Sequence, residues 1–406
     1  MGSMKRRWAF AGLLAGLVGY IGLPYVLIQR LGLGTLRQGK LSEAAVALTF
    51  DDGPDPQYTP AVLDALREAD MQATFFLLAD AARQHPELVH RIQAEGHEIG
   101  VHALRHRHAW GRWPWDAYRD SRQAQRHLQE LTGERLRWGR PPHGAYTLAT
   151  WAGLRRAGLT PVHWSVEGGD WRRGATPQDV QAHVLSAVHG GAVIVLHDGG
   201  PGAQITPVAL PSLLLGLRKR GYRSVTLGEL EQLGAAPVTR AQLPARLMAG
   251  LDRWLDAQLK IRPALGREGG LFRLQALGFP LRGLHLPDDK PLQAGTPALE
   301  FHVNNPLLVD LGLGRFIPRA RQEFGWVARD WGQNPAYAEA EYLYCLSVHG
   351  PVLRRLGFQE VALAPFDQWR LGLWSRLMHR VYGTEPRRTP PVLSIISRAE
   401  FLRRFG

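Results

Sequence analysis

Two adjacent carboxylates, Asp51 and Asp52, directly follow an apolar run that predicts a β-strand, and they precede the turn sequence Gly53-Pro54. Neighbouring carboxylates at a strand end repel each other unless a cation or a proton relieves the repulsion. Such a pair can hold a metal ion or act as a base, but Asp-Gly and Gly-Pro are also ordinary turn sequences. Taken alone, the pair favours neither a site nor a simple turn.

A pair of histidines, His102 and His106, follows the short predicted strand Glu98–Val101. Histidines four residues apart share one face of a helical turn, the usual arrangement for two ligands of one metal. A carboxylate as third ligand would complete an open catalytic site of the zinc type. Because His97 and His108 lie nearby, a histidine-rich surface loop is the alternative.

Polar residues follow three further predicted strands in the same way. The segments are Arg140-Pro141-Pro142-His143-Gly144, Glu167-Gly168-Gly169-Asp170-Trp171 and Val195-Leu196-His197-Asp198. One polar strand end is usually only the start of a loop, but five at the same edge are hard to explain by solvation. In a parallel barrel, the residues that follow the strands gather at one face and form the functional site.

The elements that must position these residues alternate along the chain. Strands are predicted at Ala44–Phe50, Ala73–Leu78, Glu98–Val101, Leu136–Gly139, Thr160–Val166, Ala192–Leu196 and Arg223–Thr226. Helices are predicted at Thr59–Ala69, Pro86–Glu95, Asp116–Leu131, Thr147–Ala157, Thr176–Val188 and Pro207–Arg220. This alternation predicts an α/β domain with a mostly parallel sheet, either open or closed into a barrel.

The ordered motifs resemble those of a known family. They are Thr49-Phe50-Asp51-Asp52-Gly53-Pro54, His102-x-x-x-His106, Arg140-x-Pro142-x-Gly144, Asp170-Trp171 and His197-Asp198. Together they resemble the polysaccharide deacetylases, the NodB-homology group of carbohydrate esterase family 4, from about Ala44 to Leu230. The resemblance implies a distorted (β/α) barrel with fewer than eight complete strands. It also implies metal-dependent N-deacetylation of N-acetylglucosamine-type residues in peptidoglycan, a chitin-like glycan or an exopolysaccharide.

The resemblance further implies a role for each matched residue. The expected metal ligands are Asp52, His102 and His106, with Zn²⁺ as the expected ion and Co²⁺ or Ni²⁺ as substitutes. The expected catalytic residues are the base Asp51, the general acid His197, Arg140 that orients the base, and Asp170 as the partner of that arginine. The expected oxyanion and acetyl-pocket positions are His143, through its backbone N–H, with Pro142, Trp171 and Val195.

Some positions depart from the family pattern. Val101 and Ala103 flank the first ligand histidine where the family has Asn and Ser or Thr, which leaves the bracing of this loop unexplained. None of the departures removes a catalytic group. Trp110, Trp113 and Trp115 follow the metal loop and predict either a platform for sugar rings or aromatic burial under the loop.

The N-terminus predicts a membrane anchor over residues 8–30. The residues from Trp8 to Ile28 are uncharged, and about 20 apolar residues span a bilayer core as a helix. Lys5-Arg6-Arg7 precede this run, so residues 1–7 are expected in the cytoplasm, with residues 1–3 a cloning remnant, and the catalytic domain outside, in the periplasm or at the cell surface. A cleaved secretory signal is the alternative, although the run ends in a poor cleavage site.

Composition indicates a folded chain of two domains. The chain has 406 residues, of which 45% are hydrophobic and 21% charged, typical of globular proteins but long for a single core. We expect a catalytic domain at 40–233, a linker and helical stretch at 234–260, and a smaller α/β or α+β domain at 261–406. The last is weakly similar to YkoP-like domains and has no predicted role beyond positioning the enzyme on a membrane or wall polymer.

The net charge of +13 indicates an anionic neighbour, such as anionic lipid or a wall polymer, or simply a solvated basic surface. No nucleic-acid-binding motif accompanies it, so no nucleic acid is expected. Two other functions stay open at this point. One is a deacetylase or deformylase of a lipid-linked sugar, and the other is a non-catalytic glycan-binding protein on the same fold.

Overall fold

The structure is a computed structural model that describes residues 16–266, 269–281, 284–285, 291–382, 384 and 389–406. The chain separates into two compact units, Met1–Leu243 and Pro244–Gly406. The helix Leu243–Leu259 therefore starts at the boundary and belongs almost entirely to the second unit.

The first unit is built on eight parallel strands. They are β1 (Ala45–Asp51), β2 (Ala73–Leu78), β3 (Glu98–Ala103), β4 (Trp138–Gly139), β5 (Thr160–Pro161), β6 (Val166–Glu167), β7 (Val193–His197) and β8 (Arg223–Ser224). Their order in the sheet is β5-β4-β3-β2-β1-β7-β6, with β8 beside the start of β1. Every residue of β1 is buried, as expected for a parallel strand covered on both faces.

The prediction of a single strand at Thr160–Val166 is wrong. The structure divides it into β5 and β6, which lie at opposite ends of the strand order. Four residues, 162–165, connect these two strands, and an extended residue spans only about 3.3–3.6 Å. The two ends of the sheet must therefore lie close together, so the sheet is curled into a partial barrel.

Helices cover the outside of this sheet. They are α1 (Thr59–Glu68), α2 (Ala79–Gln84), α3 (Pro86–Ala94), α4 (Pro114–Thr132), α5 (Leu148–Arg156), α6 (Pro177–Ala187), α7 (Thr206–Lys219) and α8 (Leu227–Gln232). The predicted cap of α6 is confirmed: the Thr176 hydroxyl accepts from the Asp179 amide, and Pro177 occupies the first turn. Phe50 and Phe75 stack in the core at 5.0 Å between ring centroids.

The predicted anchor falls partly outside the described residues, because the description begins at residue 16. From there the chain is helical, with π-helical turns at Val18–Gly22 and Tyr25–Arg30. Within the part of the chain that is described, the helices are too short or too polar to cross a membrane. Leu36 then pairs with Val162, and Gln38 with Ala192, which ties the following segment to the barrel.

The second unit contains a six-stranded mixed sheet in the order β15-β16-β14-β13-β10-β9 and a separate pair, β11 and β12. Its strands are β9 (Arg262–Pro263), β10 (Phe272–Gly278), β11 (Leu284–His285), β12 (Pro291–Leu292), β13 (Pro297–Val303), β14 (Tyr342–Ser347), β15 (Gln359–Ala362) and β16 (Val392–Ser397). Its helices are α9 (Leu243–Leu259), α10 (Asn305–Gln333), α11 (Gly350–Arg354), α12 (Pro365–Tyr382) and α13 (Arg398–Phe405).

Candidate active site

Asp51, the last residue of β1, is held by a buried arginine. Its Oδ1 accepts a hydrogen bond of 2.7 Å from the Arg140 guanidinium, which also donates to the Thr49 hydroxyl at 2.9 Å. Arg140 is fully buried and lies 4.2 Å from the centre of the Phe76 ring. A charge-assisted bond in such a dry place fixes the carboxylate in one orientation.

Asp52 points away from Asp51 because its backbone adopts a left-handed conformation with φ 75°. Its Oδ1 lies 3.1 Å from Nε2 of His102 and 3.3 Å from Nε2 of His106. Burial raises the pKa of Asp52, but its contact with His102 and the charges of His106 and His197 outweigh burial and hold the pKa below its usual range. The strained backbone thus gives two adjacent carboxylates two different environments.

The cluster of Asp52, His102 and His106 fits a divalent cation. One donor atom from each residue lies within 4.8 Å of the others. Asp52 Oδ1 and His102 Nε2 are buried and have no hydrogen-bond partner among the described residues. A tetrahedral zinc ion with ligands at about 2.0–2.2 Å places its donors about 3.3–3.6 Å apart, close to the separations seen. These three residues are therefore the ones that could hold the ion.

The predicted helical arrangement of the two histidines is wrong. His102 lies within β3, and His106 follows a bend, so no helical turn joins them. Their rings nevertheless stack, 19° from parallel with centroids 5.9 Å apart. The bend is braced by Asp120 on α4, which accepts from the Leu104 amide at 3.3 Å. Asp120 thus supplies a bracing hydrogen bond of the kind that the family pattern assigns to the residues flanking the first histidine.

His197 and Asp170 form the second polar pair. Asp170 accepts from Nδ1 of His197 at 3.0 Å and from the His197 amide at 2.8 Å. The Thr206 hydroxyl donates to the same carboxylate at 2.6 Å. The expectation that Asp170 partners Arg140 is therefore wrong, because β6 lies next to β7 and its following loop meets the end of that strand.

The pKa of His197 reflects this pairing. Burial lowers it, but the hydrogen bond and charge of Asp170 raise it to about 9, with a smaller contribution from Asp51 and Asp52. The imidazole is therefore protonated at neutral pH and can donate a proton from Nε2. Asp51 and His197 are register partners at the ends of β1 and β7, so a proton acceptor and a proton donor stand side by side.

The predicted pocket residues lie on the segments around this pair. Pro142 is buried beneath the exposed His143, whose backbone is left-handed with φ 60°. The His143 ring contacts that of His106, with 4.5 Å between centroids. Val195 is buried on β7, and Trp171 is half exposed. The pKa of His143 is nevertheless lowered to about 4, first because neighbouring groups keep solvent from part of the ring, and then because of the charges of His106 and His108.

The three tryptophans after the metal loop are exposed rather than buried. Trp110, Trp113 and Trp115 expose 45%, 80% and 70% of their surface, so the prediction of burial under the loop is wrong and the platform for sugar rings stays a prediction. The rings of His143, His108 and Trp110 follow one another, with centroids 4.8 Å and 5.1 Å apart. The rings thus run outward from the metal cluster toward solvent.

Asp198 is a site residue whose importance the sequence did not reveal. It is fully buried, accepts from the Thr59 hydroxyl at 2.7 Å, and burial raises its pKa to about 7. A Cβ atom at Gly53 would lie 2.2 Å from its Oδ2, so the turn after Asp52 accommodates only glycine. In the sequence, the position of Asp198 directly after His197 was the signal that could have identified it as a site residue.

Asp51 and His197, next to a cluster of three residues that could hold a metal ion, provide a carboxylate and an imidazole of the kind that hydrolases use for proton transfer. The sequence profile of the polysaccharide deacetylase family matches residues 38–162. The peptidoglycan-N-acetylglucosamine deacetylase of Bacillus cereus is 37% identical over 191 residues, which are 47% of this chain and 89% of that protein. A chitooligosaccharide deacetylase of Bradyrhizobium sp. is 36% identical over 198 residues, 46% of this chain and 90% of that protein.

The chain therefore belongs to the polysaccharide deacetylase family and is a hydrolase that acts on linear amides. Among solved structures, a peptidoglycan N-acetylglucosamine deacetylase has 31% sequence identity and a TM-score of 0.47, covering 52% of this chain and 97% of that one.

Proposed function

We propose that this protein is a metal-dependent N-deacetylase that hydrolyses the acetamide of N-acetylglucosamine-type residues in a glycan. The observation that carries the proposal is the presence of two hydrogen-bonded pairs of side chains next to each other, on adjacent strands. Arg140 with Asp51 forms the first, and Asp170 with His197 the second. The names of the two relatives above support the choice of substrate class.

The site residues divide the reaction between them. A divalent cation held by Asp52, His102 and His106, with Zn²⁺ first among the candidates, would polarise the acetyl carbonyl and acidify a water molecule. Asp51, fixed by Arg140, accepts the proton of the attacking water. His197 donates a proton to the departing nitrogen, so that the amine leaves neutral.

The pocket residues orient the acetyl group in this proposal. The backbone N–H of His143 donates to the oxygen that gains negative charge, a contribution that is typically large in such reactions. Trp171 and Val195 offer apolar surface to the acetyl methyl group, and Pro142 stiffens the loop that carries His143.

The proposal is tested by acetate release from a panel of glycans. The panel comprises peptidoglycan, chitin oligomers, an acetylated exopolysaccharide and a lipid-linked N-acetylated sugar, each with the metal-free protein and after addition of zinc. We expect zinc-dependent acetate release from at least one N-acetylated glycan of this panel. Binding of these glycans without acetate release under any metal would support the non-catalytic alternative.

The lipid-linked sugar stays in the panel because of one contact. Tyr25, in the N-terminal helical segment, contacts Trp110 edge to face, with 6.2 Å between the ring centroids. Trp110 is four residues after His106 in the sequence.

We propose that the N-terminal helical segment anchors the protein with its catalytic unit outside the cytoplasm. The uncharged run from Trp8 and the basic residues before it support this. Membrane fractionation and protease accessibility of the full chain test it, and recovery in the cytoplasmic fraction would contradict it.

The pairing of His197 with Asp170 predicts a pH effect. Asp170 raises the pKa of His197, and the acid role requires protonated imidazole, so activity falls as the pH rises through that pKa. In Asp170→Asn the opposing charge is gone, and the alkaline limb of kcat/KM should move to lower pH by about one to three units. Asp179→Asn, at an exposed helix cap, should leave the profile unchanged. An unmoved limb in Asp170→Asn would exclude His197 as the acid.

A further inference from the structure

The second unit contains a cavity of about 350 Å³ that the deacetylase chemistry does not use. It lies against one face of the six-stranded sheet, where α9 and α12 also contribute residues to its lining. Arg273 on β10 is the register partner of His302 on β13, and Glu300 is two residues from His302. These three side chains therefore share one face of the sheet. The volume is at the lower end of the about 300–1,000 Å³ of small-molecule sites.

The lining carries more negative than positive charge, although the whole chain is basic. Asp256 forms an ion pair with Arg273. Asp252 and Glu300 also line the cavity, and neither forms an ion pair among the described residues. Among the described residues, Glu300 accepts one hydrogen bond, from the Tyr344 hydroxyl at 3.3 Å. Burial raises the pKa of both Asp252 and Glu300, although the charges of Arg273 and Arg253 lower that of Asp252.

Polar atoms without partners point to a ligand independently of the charge. Nε of Arg273, Nε2 of His302 and the Tyr382 hydroxyl are buried and have no hydrogen-bond partner within the described ranges, and the three residues line the same cavity. Buried polar atoms are nearly always satisfied, and each unsatisfied one costs stability. Three around one cavity indicate a ligand rich in hydroxyl groups, which both donate and accept hydrogen bonds.

One wall of the cavity is apolar and comes from α12. Trp374 and Met378 lie one turn apart on this helix and face the polar residues of the sheet across the cavity. The indole gives a flat surface and the thioether a polarisable one. The C–H face of a sugar ring packs on surfaces of this kind. Hydroxyl-binding atoms, apolar surface and two carboxylates without an ion pair among the described residues together fit a ring with hydroxyl groups and a cationic amine.

We propose that this cavity is a binding site for an amino sugar with a free ammonium group, which Asp252 and Glu300 recognise. The choice of a sugar, rather than another hydroxylated amine, rests on the proposed deacetylase function, whose product carries that group. The second unit would then hold the chain to glycan that has already been deacetylated. An acetylated sugar lacks the positive charge and cannot form an ion pair with either carboxylate.

Calorimetric titration of the full chain tests this with glucosamine, N-acetylglucosamine and glucose as probes. The protein carries Asp51→Asn, so that no probe is hydrolysed. We expect glucosamine to bind at least about tenfold more tightly than either neutral sugar. The isosteric changes Asp252→Asn and Glu300→Gln should each remove about tenfold or more of that affinity. Glu339→Gln, at an exposed acid of the same unit outside the cavity lining, should bind as the parent does.

Equal affinity for the three probes, no binding of glucosamine, or selective binding that survives both cavity changes would overturn the proposal. Acetate release, measured on the same changes in the chain that retains Asp51, separates this inference from the function beneath it. Acetate release without selective glucosamine binding would contradict the proposed amino-sugar site but not the deacetylase function. Cavity-dependent glucosamine binding without acetate release from any glycan would contradict the deacetylase function but not the amino-sugar site.

Discussion

Asp51→Asn should abolish turnover while leaving the metal cluster loaded. The amide cannot accept the proton of the attacking water, and a positioned general base typically contributes about 10²–10⁴-fold in rate. The three metal ligands are unchanged, since Asp51 contacts Arg140 and not the cluster. We therefore expect kcat to fall by about that factor, with zinc content by elemental analysis equal to that of the wild type.

The matched control for this change is Asp64→Asn, on the outer helix α1. Asp64 pairs with Arg67 and Arg91 at the surface, so loss of its charge tests the same chemical change away from the site. The control should retain full activity. Turnover by Asp51→Asn within a few fold of the wild type would remove Asp51 from the role of base. Loss of zinc from the same variant would show that Asp51 belongs to the cluster instead.

His106→Ala should lose both metal and activity. The side chain provides one of the three donors that lie within 4.8 Å of one another among the described residues, and two donors hold zinc far less tightly than three. Acetate release should fall by at least about a hundredfold, because the bound cation supplies several kcal/mol of carbonyl polarisation. Metal stoichiometry after dialysis gives a readout that does not depend on activity, and His102→Ala should behave in the same way.

His90→Ala is the control for the metal prediction. His90 is exposed on α3, and the hydrogen bond that it forms among the described residues is to the Leu131 carbonyl, at 3.4 Å. It should keep the metal and the activity of the wild type, which excludes a general effect of removing a histidine. Full zinc occupancy in both His102→Ala and His106→Ala would mean that the cluster is not the metal site.

The tertiary pairings could not be obtained from spacing alone. Asp170 had two partners of suitable chemistry, Arg140 and His197, and sequence distance does not discriminate between them. The strand order decides, because β6 is next to β7 and brings Asp170 to His197. Arg140 follows β4 and still reaches Asp51, as a long buried side chain lying over Phe76.

The hydrogen bond by which Asp120 braces the metal loop also could not be predicted from the sequence. Asp120 lies 16 residues after Leu104, in the middle of a helix whose pattern indicates only an amphipathic surface. Its carboxylate is buried and pairs with Arg112 at 3.0 Å. Only the packing of α4 against the end of β3 shows that this acid faces inward.

The sequence by itself determined the adjacent carboxylates, the histidine pair and their common location after parallel strands. Local information suffices for these, because hydrophobic runs and turn residues define strand ends wherever the strands go. The tertiary structure alone decided that Asp52 turns away from Asp51, that residues 160–167 join opposite ends of a curled sheet, and that Asp252 and Glu300 face a common cavity. Each depends on the packing of segments far apart in the chain, which no local pattern records.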